Sequence, residues 1–254
     1  DLASRTAAFR AEVEAKLRAA DFVGVRDQFT LDCLAASGIA ARLMPDPAVM
    51  VAELSGEKIR QHAREGEVAQ ALERFPQGYI AVQFSAGFGD DATLGEIAAQ
   101  LDQISHENGL GVVFFRAGAA PWHDDLDCYQ RTAARMRPSS VKIFSSLNLW
   151  DICALIARSR AYCGSSLHGR IAAMAFALPR VNLRHPAEAS PLTKQAAYAS
   201  TWEMPGMPIT VEVAGIGQGI LQAMAADAAT LRHKARELAA RYREEFDAIR
   251  ARLE

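Results

Sequence analysis

The clearest pattern in this chain is an alternation of short apolar runs with amphipathic segments between residues 76 and 205. Each run is apolar almost throughout, which is typical of a parallel strand that is buried on both faces. These runs cover residues 79–85, 110–115, 141–144, 161–163 and 180–183. The segments between them predict helices at residues 92–107, 125–136, 149–159 and 167–178. Strands that alternate with helices in this way predict an α/β fold with a doubly wound, Rossmann-like parallel sheet.

The flanking segments follow other patterns. Residues 4–20 predict a helix, residues 21–26 a short strand, and residues 43–47 an extended turn, since the residue before each proline avoids helical backbone. One strand cannot make a sheet, so we expect this chain to be the rear part of a longer protein, or to pair with another chain. The expected parts are the end of an N-terminal domain and its crossover (1–55), a connector helix (56–75), a Rossmann-like domain (76–205) and C-terminal helices (206–254).

Between residues 27 and 38 the chain predicts another helix, capped by Asp27 or Thr30 and ending near Gly38. The last predicted helix carries its apolar residues on one face, which favours a terminal helix docked on the domain. A helix that binds a partner is the alternative. The apolar face contains Leu231, Ala235, Leu238, Tyr242, Phe246, Ile249 and Leu253.

Composition excludes some classes of function. The 254 residues carry a formal charge of −2 and a pI near 6.4, which gives no support for binding to nucleic acid or to a membrane surface. No apolar run approaches the about 18 residues of a transmembrane helix. The four cysteines form no C-x-x-C pair, so we expect a reducing, cytoplasmic setting with no disulfide and no zinc.

The segment with the most chemistry is Gly164-Ser165-Ser166-Leu167-His168-Gly169, where a predicted strand passes into a helix. Ligands of open α/β sheets bind at the carboxyl ends of such strands. The free N–H groups of the first helical turn and the two serine hydroxyls favour an anion here. The alternative is that a serine merely caps the helix and His168 is a structural, hydrogen-bonded imidazole.

A second loop, residues 85–91, follows the first apolar run. With a strand order of the 3-2-1-4-5 type, it faces the Gly-Ser-Ser turn across the switch point of the sheet. Its Gly87 and Gly89 allow a ligand to approach the backbone closely. They form neither a G-x-G-x-x-G fingerprint nor a Walker loop, so the sequence predicts no dinucleotide or other cofactor.

The segment Trp122-His123-Asp124-Asp125 has two interpretations. A tryptophan can stack on a sugar, which suggests a site. Capping of the next helix by Asp124 accounts for most of the segment more simply. No group of His, Asp or Glu residues has convincing spacing for metal ligands, so we expect no tightly bound metal.

Three segments together resemble the polysaccharide pyruvyl transferase family. They are residues 22–38, with the strand–Val-Arg-Asp–helix pattern, the Pro-Asp-Pro turn at residues 43–48, and residues 164–179. The last segment matches the family block Ser-Arg/Ser-Leu-His-Gly followed by Ala-Phe-Gly-Val-Pro. Many members have arginine before Leu-His, where this chain has Ser166. The resemblance implies the C-terminal half of a GT-B-type architecture, with residues 76–205 as its donor-binding domain.

The resemblance also implies a reaction, the transfer of a pyruvyl group from phosphoenolpyruvate to sugar hydroxyls of a polysaccharide precursor as a cyclic ketal. His168 is then the candidate acid/base, and Arg26 contacts the carboxylate or phosphate of the donor. An ion pair of Arg26 with Asp27 or Asp46 is the structural alternative. The further candidates for donor binding are Ser165, Ser166, Gly169, Gly87, Arg184 and Lys194.

The expected partners are phosphoenolpyruvate and a saccharide acceptor, together with an N-terminal domain or partner chain. Fold alone does not decide function. Two alternatives therefore stay open, a glycosyltransferase that uses a nucleotide sugar and a degenerate domain that binds without catalysis.

Overall fold

The structure is a computed structural model that describes residues 2–118, 120, 123–185 and 192–253. Its main sheet contains six parallel strands among these residues. They are β3 (Tyr79–Gln83), β4 (Gly111–Phe114), β5 (Val141–Ile143), β6 (Ala161–Gly164), β7 (Arg180–Leu183) and β8 (Thr210–Val211). The order across the sheet is β5-β4-β3-β6-β7-β8, so the winding reverses between β3 and β6. The predicted doubly wound parallel sheet is confirmed.

Helices cover both faces of this sheet. One face packs on α5 (Asp91–Asn108), α6 (Leu126–Ala133) and α10 (Ile216–Met224). The other face packs on α3 (Val51–His62), α4 (Gly66–Arg74), α7 (Leu149–Arg158) and α8 (Leu167–Ala175). In β3, Ile80 and Val82 are buried on the first face, and Tyr79 and Ala81 on the second. Burial of both sides explains why the strands are continuous apolar runs.

The N-terminal part forms a small sheet of its own. It consists of α1 (Leu2–Ala19), β1 (Gly24–Val25), α2 (Gln28–Ala36) and β2 (Arg42–Leu43). β1 and β2 pair in parallel, with Gly24 opposite Arg42. The prediction of a lone N-terminal strand is therefore wrong. Its partner was missed because β2 has only two residues and runs directly into the Pro-Asp-Pro turn.

The predicted connector helix differs from the structure as well. The polar segment over residues 56–74 contains the end of α3 and all of α4, with a break at residues 63–65. Ile59, Val68 and Ala71 are buried against the main sheet. The segment is rich in polar residues because the outer faces of both helices lie in solvent, while their inner faces cover part of the core.

The C-terminal part begins with a strand that the apolar pattern did not reveal. Thr210–Val211 pairs with Asn182–Leu183 as the sixth strand of the main sheet. Beyond α10, α11 (Ala228–Leu253) buries Leu231 and Leu238, as its apolar face predicts. Phe246 on the same helix stays 49% exposed.

A buried ionic cluster holds α8 in place. Glu203 follows α9 (Lys194–Trp202), and its side chain is 3% exposed. It accepts hydrogen bonds from Arg170 Nη2 of α8 at 2.6 Å and from Arg180 Nε of β7 at 2.9 Å. Burial raises the pKa of Glu203, but the attraction of Arg180 and Arg170 outweighs it, so the net shift is downward. The carboxylate ties a helix, a strand and a loop together.

We expect Glu203→Gln to lower the free energy of unfolding by about 3–5 kcal/mol, because the buried guanidinium groups of Arg170 and Arg180 then lose the negative charge between them. Glu212→Gln is the matched control, because Glu212 is an exposed partner of Arg184 and such pairs contribute about 1 kcal/mol or less. Urea unfolding at neutral pH measures both. Similar small losses in the two variants would contradict the account.

One helix end is strained. Ala177, two residues beyond α8, has a φ of 55°, and a Cβ in this left-handed region costs roughly 1–2 kcal/mol. The block that residues 164–179 resemble has glycine at this position. We expect Ala177→Gly to stabilise the protein by about 0.5–1 kcal/mol, and Ala175→Gly in the last turn of α8 to destabilise it by a similar amount. Thermal and urea unfolding test this difference in sign, and a loss of stability in Ala177→Gly would refute it.

Candidate functional site

The carboxyl ends of β3 and β6 meet at the switch point. The N–H of Ser85 donates to Ser165 Oγ at 3.0 Å, and the N–H of Ser165 donates to the carbonyl of Gln83 at 3.0 Å. The loop after β3 therefore faces the turn between β6 and α8. This is the arrangement that the strand order implies.

The two serines have defined places in this turn. Ser166 is the N-cap of α8, and its Oγ accepts from the N–H of Gly169 at 3.2 Å. In the contact between Ser85 and Ser165, the Ser165 hydroxyl is likewise the acceptor. Each O–H therefore retains the ability to donate to a bound anion.

His168 lies in the first turn of α8, with its side chain 68% exposed. Its Nε2 is 3.7 Å from Oδ2 of Asp46, and the same oxygen accepts from Arg26 Nη1 at 3.0 Å. Asp46 thus contacts both residues that the resemblance singled out. The ion pair expected as the alternative for Arg26 is present with Asp46. Asp27 instead caps α2, where its Oδ1 accepts from the N–H of Thr30.

The position of Asp46 follows from its turn. Its Oδ1 accepts from the N–H of Ala48 at 3.0 Å and caps a 3-10 turn over Pro47–Met50. Val49 and Met50 of this turn pack on Leu167 of α8. The Pro-Asp-Pro segment is thereby fixed beside the start of α8. From the sequence, Asp46 is part of the Pro-Asp-Pro turn and a candidate ion-pair partner of Arg26. Its contact with α8 was not predicted, because nothing in the local sequence indicates it.

The electrostatics favour an ionised Asp46. Burial raises its pKa, but the nearby ring of His168 and the hydrogen bonds from the N–H of Ala48 and from Arg26 outweigh burial and bring the pKa to about 2. The side chain is only 8% exposed. A shielded negative charge therefore lies between a guanidinium and an imidazole.

Two cavities border this point. The first, which we call the arginine cleft, has a volume near 760 Å³ and is lined by Arg26, Asp46, Lys194 and apolar side chains that include Phe29 and Phe246. The second, which we call the histidine cleft, has a volume near 580 Å³. Its described lining includes Ser166, His168, Gly169, His123 and Trp150. The structure therefore places Arg26 and Lys194 in one cleft, and Ser166, His168 and Gly169 in its neighbour.

Three predicted residues lie outside the described lining of both clefts, and one of them is Ser165, whose hydroxyl accepts from the N–H of Ser85. The carbonyl of Gly87 accepts from His185 Nε2 at 2.5 Å, and Arg184 pairs with Glu212. All three lie near the carboxyl edge of the sheet, where β3, β6 and β7 end.

The segment around Asp124 differs from its predicted role. Asp125 is the N-cap of α6, so the prediction that Asp124 caps the helix is wrong by one residue. Asp124 is instead buried and hydrogen-bonded to Gln83 and to the ring of His123. Trp122 lies outside the described residues.

Two further findings concern the described part of the chain. None of its helices combines the length and the apolar character that crossing a membrane requires. It also contains no group of three or more His, Cys, Asp or Glu residues placed to hold a metal ion.

Comparison with known proteins defines the class. The fold is similar to UDP-GlcNAc 2-epimerase from Neisseria meningitidis bound to UDP-GlcNAc, with 12% identity, a TM-score of 0.58, and coverage of 85% of this chain and 56% of that chain. It is also similar to a UDP-forming α,α-trehalose-phosphate synthase from Burkholderia vietnamiensis, with 12% identity, a TM-score of 0.52, and coverage of 92% and 60%. The fold is thus GT-B-like, and the chain spans 60% or less of these structures.

The family follows from the sequence itself. A family model described as polysaccharide pyruvyl transferase matches residues 5–185, and the chain belongs to this family. No curated protein matches the chain. The family's description names a transferase, and the structural neighbours show the GT-B-like fold.

The depressed pKa of Asp46 predicts a pH-dependent contribution to stability. Its ionised form stabilises the fold above the ordinary pKa of 3.8, and this contribution is lost as the pH falls from about 4 to about 2. We expect Asp46→Asn to lower the free energy of unfolding by about 1–2 kcal/mol at pH 6, with a smaller loss at pH 3. Urea unfolding at both pH values measures this, with the exposed Asp32→Asn as control. A loss that stays constant or grows in acid would contradict the role of the charge.

Proposed function

We propose that this chain provides the donor-binding part of an enzyme that transfers a pyruvyl group from phosphoenolpyruvate to a sugar hydroxyl of a surface or extracellular polysaccharide precursor, in the cytoplasm. One observation carries the proposal. Asp46 contacts both Arg26 and His168 beside the N-terminus of α8. A cation and an acid/base group therefore lie on either side of one carboxylate, close to a helix N-terminus, and in our proposal a single small anion uses all three.

The donor has a phosphate and a carboxylate, so it requires cationic groups and N–H donors. Arg26 and Lys194 supply positive charge from the arginine cleft. The first turn of α8 supplies N–H groups, and Ser165 and Ser166 supply hydroxyls. The serine before Leu-His contributes a neutral donor where many relatives have arginine, so we assign the main electrostatic attraction to Arg26.

The chemistry needs a proton at the methylene carbon of phosphoenolpyruvate. In our proposal, protonated His168 donates it while a sugar oxygen bonds to the neighbouring carbon and its hydroxyl proton leaves to a base. The bond between this carbon and the phosphate oxygen then breaks, and phosphate leaves. A second sugar hydroxyl bonds to the same carbon, and its proton passes to the departing phosphate. The nearby Asp46 carboxylate balances the charge of the protonated ring before transfer.

Calorimetric titration of the protein with phosphoenolpyruvate and with UDP tests this proposal. We expect phosphoenolpyruvate to bind and Arg26→Gln to weaken its binding about 10-fold to 100-fold, as for the loss of a hydrogen bond to a charged group. Arg64→Gln, an exposed arginine outside both clefts, is the matched control. Preferential binding of UDP would instead support a nucleotide-sugar transferase, and binding of neither would support a non-catalytic domain.

Turnover separates a catalytic His168 from a structural one. We expect His168→Gln to lower kcat about 10²–10⁴-fold while the melting temperature stays unchanged. The exposure of its ring is consistent with a small effect on stability. A fully active but destabilised variant would contradict the catalytic role.

A further inference from the structure

A second histidine in the histidine cleft is held by a buried carboxylate. The side chain of Asp124 is fully buried, yet it lies next to a loop at the carboxyl end of the sheet. Its Oδ2 accepts from the N–H groups of Ala117 at 2.6 Å and Gly118 at 3.2 Å. Its Oδ1 accepts from Gln83 Nε2 at 2.6 Å. Three donors from β3 and the loop after β4 therefore fix this carboxylate.

The fourth partner of Asp124 is His123. The Nδ1 of His123 lies 2.9 Å from Asp124 Oδ1, and the His123 side chain is 47% exposed. Because a carboxylate only accepts hydrogen bonds, this contact assigns the proton of the neutral ring to Nδ1. Nε2 then carries the lone pair. A buried carboxylate that sets the tautomer of a partly exposed histidine is an arrangement suited to general-base catalysis.

The exposed side of His123 belongs to the same cavity as His168. The described lining of the histidine cleft contains three titratable side chains, those of His123, His168 and Cys153. Burial raises the pKa of the Cys153 thiol to about 11, so this group stays protonated at neutral pH. Among the described lining residues, the two histidines are therefore the candidates for proton transfer.

We propose that His123 is the base that takes the proton from the attacking sugar hydroxyl, and this inference rests on the proposed function. The sugar oxygen forms its bond to the carbon that bears the phosphate, and its proton passes to Nε2 of His123. The electron pair of the carbon–carbon double bond takes the proton that His168 donates. One histidine thus loses a proton as the other gains one, and Asp124 is a positioning residue for the base.

The first test is the tautomer of His123, which requires no substrate. The ¹⁵N chemical shifts of the ring, assigned with His123→Gln, should show a protonated Nδ1 and an unprotonated Nε2 at a pH where the ring is neutral. A protonated Nε2 would overturn the inference.

The second test is phosphate release from phosphoenolpyruvate with methyl glucosides, galactosides and mannosides as acceptors. We expect His123→Gln to lower kcat about 10²–10⁴-fold and to remove the acidic limb of the pH profile, where a base becomes protonated. Added imidazole should restore part of the rate of His123→Ala. His106→Gln is the matched control, since His106 is an exposed histidine near the end of α5.

The outcomes separate the two proposals. If the wild-type protein fails to bind phosphoenolpyruvate or to release phosphate, the proposed function fails, and the role of His123 fails with it. If the wild-type protein turns over and His123→Gln keeps its rate and its acidic limb, only the role of His123 is wrong. A loss of rate that accompanies a lower melting temperature, with the acidic limb intact, would show a structural role and also overturn the inference.

Discussion

The position of the whole site depends on one buried carboxylate between two arginines. Glu203 binds Arg170 of α8 and Arg180 of β7 where almost no solvent reaches. Burying three charged groups is costly unless each keeps its partners, and Arg170 also donates to the carbonyls of Pro208 and Ile209. The cluster leaves α8 little freedom to shift along the sheet. His168 is two residues from Arg170, so the cluster also fixes the start of the helix that carries it.

A second contact connects the small N-terminal sheet to this helix. The Pro-Asp-Pro turn packs on α8, and the ring N–H of Trp202 donates to the carbonyl of Arg26 at 2.7 Å. Arg26 and His168 lie far apart in the sequence, and these contacts hold both of them beside Asp46. Because Asp46 is shielded from water, salt screens its attraction for the Arg26 guanidinium less than it screens an exposed ion pair.

The sequence could predict features that leave a periodic trace. The main strands were recognisable because burial on both faces makes them continuously apolar. The helix predicted over residues 92–107 is confirmed as α5, which buries Leu94, Ile97 and Leu101 against the sheet. The two-residue strands β2 and β8 leave no such trace. Arg170 resembled an ordinary polar helix residue, since nothing local to it indicates that Glu203 would meet it in the core.

The same limit applies to the site. The Gly-Ser-Ser-Leu-His segment was recognisable because a strand, a cap and a helix follow one another locally. Asp124 was mistaken for a cap because an aspartate before a helix has the same local pattern whether it caps the helix or is buried. Its contacts with Gln83 and with the loop at Ala117 depend on how the strands are arranged in the sheet. Contacts between residues on different strands and loops can therefore be identified only from the structure.

The central claim is that Arg26 and His168, held by Asp46, serve one donor site. A crystal structure of the protein with phosphoenolpyruvate tests it most directly. The account predicts the donor at the N-terminus of α8, with an anionic group on the Arg26 guanidinium and the methylene carbon beside His168. Donor bound in the groove between α3, α7 and α11, which is lined by Arg60, Arg158 and Arg232, with Arg26 and His168 uncontacted, would contradict it.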